Sequence, residues 1–557
     1  MGLANVESGV RVDPDRTLFR IGSITKVFTA MAVARLQDEG RIDLEADVNR
    51  YLGPVKVPKA FGEPVRVRHL LTHTGGFDQT GQGRHVETPV HRPGLAEFVG
   101  HQLVRIRPPG IIATYDTYGI TLAGYLVEQV SGMSYPRYLR QRVFEPLGMK
   151  RTFVEAPDEF RQDLAMGYGF QDGAYVAQRY ETYVTTPASS IDATPRDMGR
   201  FLIAALGDGA NEAGRFLSPA AAARIKKPQF REHPEFAGFA WGFWEVLRDQ
   251  WRVIHHGGTM LGFSSELWLL PEHGLGFFFV ANRDGDAGGG PVRLRNSLTR
   301  ALMQRWFPDG GKVRRAPEKP AMVDTGLLAG NWAATRYCHT CPEGEGWTMY
   351  YAPLESVKPG VIQYEGERWV AAGEGIFVSK DSGSRLAFVE DGKGRTRYLV
   401  HDGYRLVREK LDETLLDEVF GPGWRKGDAP PLAAQVWRAN GEWEKAADAY
   451  QAMAGKQTEP GRALYRAGSC WLRAAKPERA RSALERAWKA GPWSARSAYG
   501  VAVACTMQEQ DDQAFRWLER ALEAGLSEPE MLREDPRLER LRADPRFAKL
   551  LDAAGSD

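Results

Sequence analysis

Two breaks in pattern limit what this chain can fold into. The stretches PDGGKVRRAPEKPAM (308–322) and FGPGWRKGDAPP (420–431) are rich in proline, glycine and charge, which reads as connection rather than core. They separate regions of different periodicity. Residues 1–307 mix helical and strand patterns, and 308–326 reads as a linker. Residues 327–412 hold short runs (WTMYYA, VIQYEG, RWVAAG, IFVS, RLAFVE, RTRYLV) divided by Gly- and Asp-rich turns, the pattern of a small antiparallel β-domain. Residues 431–557 are helical in pattern. At 557 residues the chain is too long for one ordinary core, so several domains are expected.

The tail repeats. Gly468, Ala480, Ala487 and Pro492 take the small and turn positions of a helix–turn–helix unit, and adding 34 lands on Ala502, Ala514, Ala521 and Leu526. Subtracting 34 from the first two gives Ala434 and Ala446. This period resembles the tetratricopeptide repeat, with about three repeats over 431–525. Asp-Pro starts at Asp535 and Asp544 would open short capping helices. Such a tail implies a concave surface for a protein or peptide partner.

Charge excludes some functions. With 73 basic and 71 acidic residues, spread out, the net charge of +2 asks for neither nucleic acid nor an anionic membrane. There is no apolar run near 18 residues, and the N-terminus MGLANVESGVRVDPD lacks the basic start and apolar stretch of a secretory signal. Of four cysteines, Cys338 and Cys341 form a single C-x-x-C, expected as plain thiols or a local disulfide, because a zinc site would want a second pair. Cys470 and Cys505 fall in helical patterns as small core residues. No metal or cofactor is called for.

Chemistry concentrates in FRIGSITKVF (19–28). Residues 24–37 are helical in pattern, with Val27, Met31 and Ala34 on a stripe and Gly40 as a stop. Ser23 therefore lies at the first turn and Lys26 on the same face. A serine needs a base to act as a nucleophile, and a lysine of depressed pKa can serve. Alone, S-x-x-K is a weak signal. Two further stretches add to it: Tyr115 stands before an amphipathic helix in PGIIATYDTYGITLAGYLVEQVSG (109–132), and WRVIHHGGTMLGFSSELWLLPEHGLGFFFVANRD (251–284) reads as a strand with a glycine-rich edge, then a hairpin.

With these in order, and with HLLTHTGGFD (69–78) and PASSIDATPRDMGRFL (187–202) between them, residues 1–307 resemble the serine β-lactamase-related, penicillin-recognising family, its class C and esterase branch most of all. The resemblance implies a mixed α/β (α+β) β-lactamase/transpeptidase-like domain with an antiparallel sheet, beside the small all-β domain and the α-helical repeat tail. It implies that Ser23 is the acylated nucleophile, with Lys26 its partner and Tyr115 sharing base and acid duties. His256-Gly257-Gly258 takes the place of the family's Lys-Thr-Gly strand, its glycines leaving an edge bare for substrate, and the N–H groups of Ser23 and Thr259 are the implied oxyanion hole. His255 and His73 read as structural, and Asp116 and Tyr118 as cleft residues without assigned chemistry.

Two departures refine the expectation. The family's Tyr-x-Asn is Tyr115-Asp116-Thr117 here, and Thr117 lacks the two-headed amide that holds a peptide-like side chain. An ester or small amide is therefore expected, ahead of D-amino-acid or cell-wall peptides, with β-lactams last. Family members also begin with a helix and a strand that this chain lacks, and the missing strand is expected beside the one bearing His256. Because such members are often exported, compartment stays open. The contrasting reading is an inactive binding or sensor protein acting through its repeats.

Overall fold

The computed structural model describes residues 2–80, 85–86, 92–171, 173–248, 251–283, 290–308, 315–341, 349–373, 375–402, 407–421, 424, 429–457, 460–491, 494–526 and 529–554. They divide into two compact units. One holds Met1–Ala329, Ala334–Arg336 and Leu354–Glu409, and the other Gly330–Ala333, Tyr337–Pro353 and Lys410–Asp557. Residues 354–409 of the β-domain fall in the same unit as the first region. The joining contacts are specific: Arg107 Nη2 lies 3.0 Å from Glu409 Oε2 with both side chains buried, and Arg385 pairs with Glu235.

In the first unit, helix α1 (Thr25–Asp38) follows a 3-10 turn at Gly22–Ile24 and gives way at Gly40, whose φ is +71°. The expected stripe understates it, since every residue from Thr25 to Ala34, and Leu36, is buried. A helix apolar on all sides belongs inside a domain. Helix α2 (Thr117–Ser131) starts where the Asp116 side chain accepts the Tyr118 N–H and stops at left-handed Gly132.

Strands β1 (Phe239–Ala240), β2 (Phe243–Arg248), β3 (Trp251–Met260), β4 (Phe263–Leu270) and β5 (Leu275–Ala281) form an antiparallel sheet in chain order. β3 pairs with β4 from Ile254↔Leu269 to Met260↔Phe263, whereas its pairing with β2 ends at Trp244↔His255. His256–Met260 thus extend beyond the pairing with β2. The expectation of a missing strand beside the His256 strand is corrected here. β2 flanks that strand on one side as far as His255 and β4 on the other, and the turn before α1 packs against it, where a Cβ on Gly22 would lie 3.2 Å from the Thr259 nitrogen.

Eight strands between Gly330 and Lys410 close into a small barrel. The expected runs appear at Val361–Tyr364, Glu367–Gly373, Ile376–Ser379, Arg385–Glu390 and Thr396–His401. The run expected at WTMYYA begins only at Tyr351 and extends to Lys358, and Trp347 and Thr348 lie outside the described residues.

In the second unit, α3 (Pro431–Ala439), α4 (Trp443–Ala454), α5 (Gly461–Arg473), α6 (Pro477–Lys489), α7 (Ser494–Met507) and α8 (Asp511–Glu523) follow one another. Ala434, Ala446, Ala480, Ala487, Ala502, Ala514 and Ala521 are fully buried. A Cβ on Gly468 would stand 2.3 Å from Leu484 Cγ, so α5 and α6 touch where only glycine fits. Pro492 lies outside the described residues. Cys338 and Cys341 form a disulfide, and Cys470 and Cys505 are buried free thiols.

Candidate active site

Ser23 sits in the 3-10 turn that opens α1, one turn before Lys26. The turn is placed by its neighbours. The Ile21 carbonyl accepts the Ser265 hydroxyl of β4 at 2.9 Å, and a Cβ on Gly258 would fall 2.1 Å from that same carbonyl oxygen. The face of β3 at Gly258 is thus covered by the protein's own backbone. The lack of a side chain at Gly258 lets the serine-bearing turn approach β3.

Lys26 is 1% exposed, and its Nζ donates to Ser23 Oγ at 3.0 Å and to the Ala188 carbonyl at 2.8 Å. That carbonyl belongs to the PASS segment, which α1 holds through Thr25 Oγ1, the acceptor of the Ile191 N–H at 3.1 Å. These acceptors hold the ammonium beside Ser23. Nζ also stands 4.9 Å from the Tyr115 ring centroid.

Tyr115 is half-buried against Phe239 and Trp244, with its ring 5.9 Å from that of His256 and 4.8 Å from that of His73. Burial pushes the phenol pKa up, but the Lys26 charge, the hydrogen bond with Ser23 and the Arg336 charge outweigh it, and the net direction is down. His73 fixes the residues on either side of Tyr115. Its carbonyl accepts the Thr114 N–H at 2.9 Å and its Nδ1 accepts the Asp116 N–H at 3.1 Å. Burial, aided by Lys26 and Arg336, lowers the His73 pKa to about 3, so the ring stays neutral and Nδ1 stays an acceptor. The structural reading of His73 fits this geometry.

His256 is buried with Nδ1 2.7 Å from the Gly257 carbonyl, and Thr259, beyond the pairing with β2, is exposed. His255 turns to Glu266, 2.8 Å away. Asp116 caps α2, accepts from Gln79, and is raised by burial to about 6. Thr117 is buried at the first turn of α2, its carbonyl bonded by the Thr121 hydroxyl. The turn, the sheet edge and the start of α2 thus bring together Ser23, Lys26, Tyr115, His256, Gly258 and Thr259. Sequence reasoning missed the Ala188 carbonyl, because a backbone acceptor leaves no residue-type signal. It also missed Arg336, remote in the chain, whose guanidinium carbon lies 4.8 Å from the Tyr115 ring centroid. Among the described residues no group of three or more His, Cys, Asp or Glu is arranged to hold a metal ion.

The chain is 24% identical over 331 residues to a beta-lactamase of Yersinia enterocolitica, covering 53% of this chain and 80% of that protein. It is 27% identical over 353 residues to penicillin-binding protein 4 of Amycolatopsis lactamdurans, covering 59% and 88%. In fold it is similar to the crystal structure of SurE (TM-score 0.52, 21% identical), which covers 73% of this chain and 90% of that one. The Beta-lactamase family model matches residues 1–301, more than half of the 557, and the chain therefore belongs to the beta-lactamase family, whose members are serine hydrolases.

Proposed function

We propose that this protein hydrolyses an ester or small amide through an acyl-enzyme on Ser23, with carboxylesterase-like substrates preferred. The observation that carries the reading is the 3.0 Å contact of Ser23 Oγ with Lys26 Nζ beside a phenol whose pKa is held down. Tyr115 as phenolate takes the Ser23 proton while Oγ attacks the carbonyl carbon. Lys26, donating to Ser23 Oγ and the Ala188 carbonyl, holds the nucleophile in place and favours the phenolate beside it. The N–H groups of Ser23 and Thr259 would donate to the developing oxyanion. The leaving alcohol takes the proton back from Tyr115, and a water deprotonated by the same phenolate then releases the acid and restores Ser23.

The preference for esters rests on Thr117. The position that would clasp an amide side chain holds a buried hydroxyl residue, and Asp116 beside it is committed to capping α2. The test is turnover of short-chain p-nitrophenyl esters against D-amino-acid p-nitroanilides and a chromogenic cephalosporin. Esters should be cleaved best, with activity lost in Ser23→Ala and reduced roughly 10²–10⁴-fold in Tyr115→Phe. Faster cleavage of the anilides or the cephalosporin would overturn the ester preference, and equal turnover by Ser23→Ala would overturn the mechanism.

A further inference from the structure

Arg336 belongs to the same compact unit as Ser23 and Tyr115, yet lies beyond residue 301, where the family match ends. Its neighbour Thr335 is anchored at both faces. The Thr335 N–H donates to the Val407 carbonyl at 2.9 Å, and its hydroxyl receives that of Thr114, the residue before Tyr115, at 3.1 Å. The chain that presents Arg336 is thereby tied to the chain that presents Tyr115. The guanidinium carbon stands 4.8 Å from the Tyr115 ring centroid, matching the 4.9 Å of Lys26 Nζ from the same ring. Among the described residues, the titratable and charged groups around this ring include Lys26 from the start of α1, His73 from its loop, Asp116 next along the chain, His256 from β3, and Arg336, with the Ser23 hydroxyl hydrogen-bonded to the phenol.

We propose that Arg336 is a positioning residue of the active site: its guanidinium, held against the Tyr115 ring, keeps that phenol ready to act as base, so the site is completed by chain outside the hydrolase domain. This rests on the reading of Tyr115 as the base. The reasoning is electrostatic. A guanidinium keeps its charge at any working pH, and a positive charge about 5 Å from a phenol favours the phenolate. Over the ring it adds a cation–π contact that fixes the plane. The same charge disfavours protonation of His73, so that ring keeps accepting the Asp116 N–H and does not become a rival cation. Lys26 has a further duty, since its ammonium also holds Ser23 Oγ and the Ala188 carbonyl.

The experiment is the pH dependence of kcat/KM for ester hydrolysis by the full chain, with Arg336→Gln, Arg336→Met and Arg336→Lys, each also followed as the rate of Ser23 modification by a fluorophosphonate. Loss of the charge raises the phenol pKa, so the acid limb should move to higher pH by on the order of one unit in the Gln and Met variants. The Lys variant should keep the limb near that of the parent protein. The Met variant gives the same readout if Gln does not fold. A limb that stays in place in the neutral variants, with activity kept or uniformly lost, would overturn the proposal, as would a Lys variant displaced as far as Gln. A parent protein whose Ser23 never reacts would instead overturn the hydrolase reading on which the proposal stands.

Discussion

Ser23 is poised by backbone as much as by side chains. The Ile21 carbonyl, the Ser265 hydroxyl and the missing side chain of Gly258 set the turn, and Lys26 then meets Ser23 Oγ at 3.0 Å. Gly258→Ala tests this placement. Its Cβ would meet backbone rather than a flexible side-chain end, so the turn must shift, with a stability cost of about 1–3 kcal/mol. Ester turnover should fall by more than tenfold while the fold persists, read by steady-state kinetics beside thermal melting. Turnover by the Gly258→Ala variant equal to that of the parent would contradict the close approach. The residues of the candidate site were nameable in sequence because Ser-x-x-Lys, the tyrosine and His-Gly-Gly each carry a side-chain signature. The function of Gly258 was not, because a sequence shows the absence of a side chain and not which atoms use the space.

At the scale of elements, most helices and strands follow from periodicity, and the misreadings have physical causes. The α1 stripe understated burial because alanines and threonines on its other faces pack inside too. The first barrel strand, Gly330–Ala334, lacks enough alternating bulk to stand out from the linker. The segment before Tyr115 depends on a contact that no period signals: Glu232 accepts the Ala113 N–H at 3.1 Å. Glu232 keeps some exposure as a residue, but burial of its carboxyl raises the pKa from 4.5 to about 7. The folded state therefore holds this proton more tightly than the unfolded chain, so its contribution to stability declines as pH rises from about 4.5 to about 7. Glu232→Gln keeps an acceptor for Ala113 and removes the charge. It should leave stability unchanged at pH 4 and raise it at pH 8, by on the order of 1 kcal/mol after screening. Denaturant melts at the two pH values check this, and equal effects at both would contradict it.

At the scale of the molecule, the unit that carries the site is larger than the family domain. Arg107 and Glu409 lie 302 positions apart and form a pair with side chains 3% and 1% exposed. Removing one partner strands a buried charge, so Arg107→Met and Glu409→Leu should each cost about 3–5 kcal/mol. The double variant should be less destabilised than the sum, and additive losses in that cycle would show the pair to be uncoupled. Such long-range pairs join residues 354–409 to the first region within one unit, and composition gives no signal of them. The central claim remains that Ser23 is the nucleophile of a working serine hydrolase. Its most direct measurement is intact mass of the purified full chain after treatment with a fluorophosphonate, with peptide mapping and Ser23→Ala as control. A single adduct located on Ser23 and absent from the variant is the predicted result. A folded protein that takes no label, or a variant that labels as the parent does, would contradict the account.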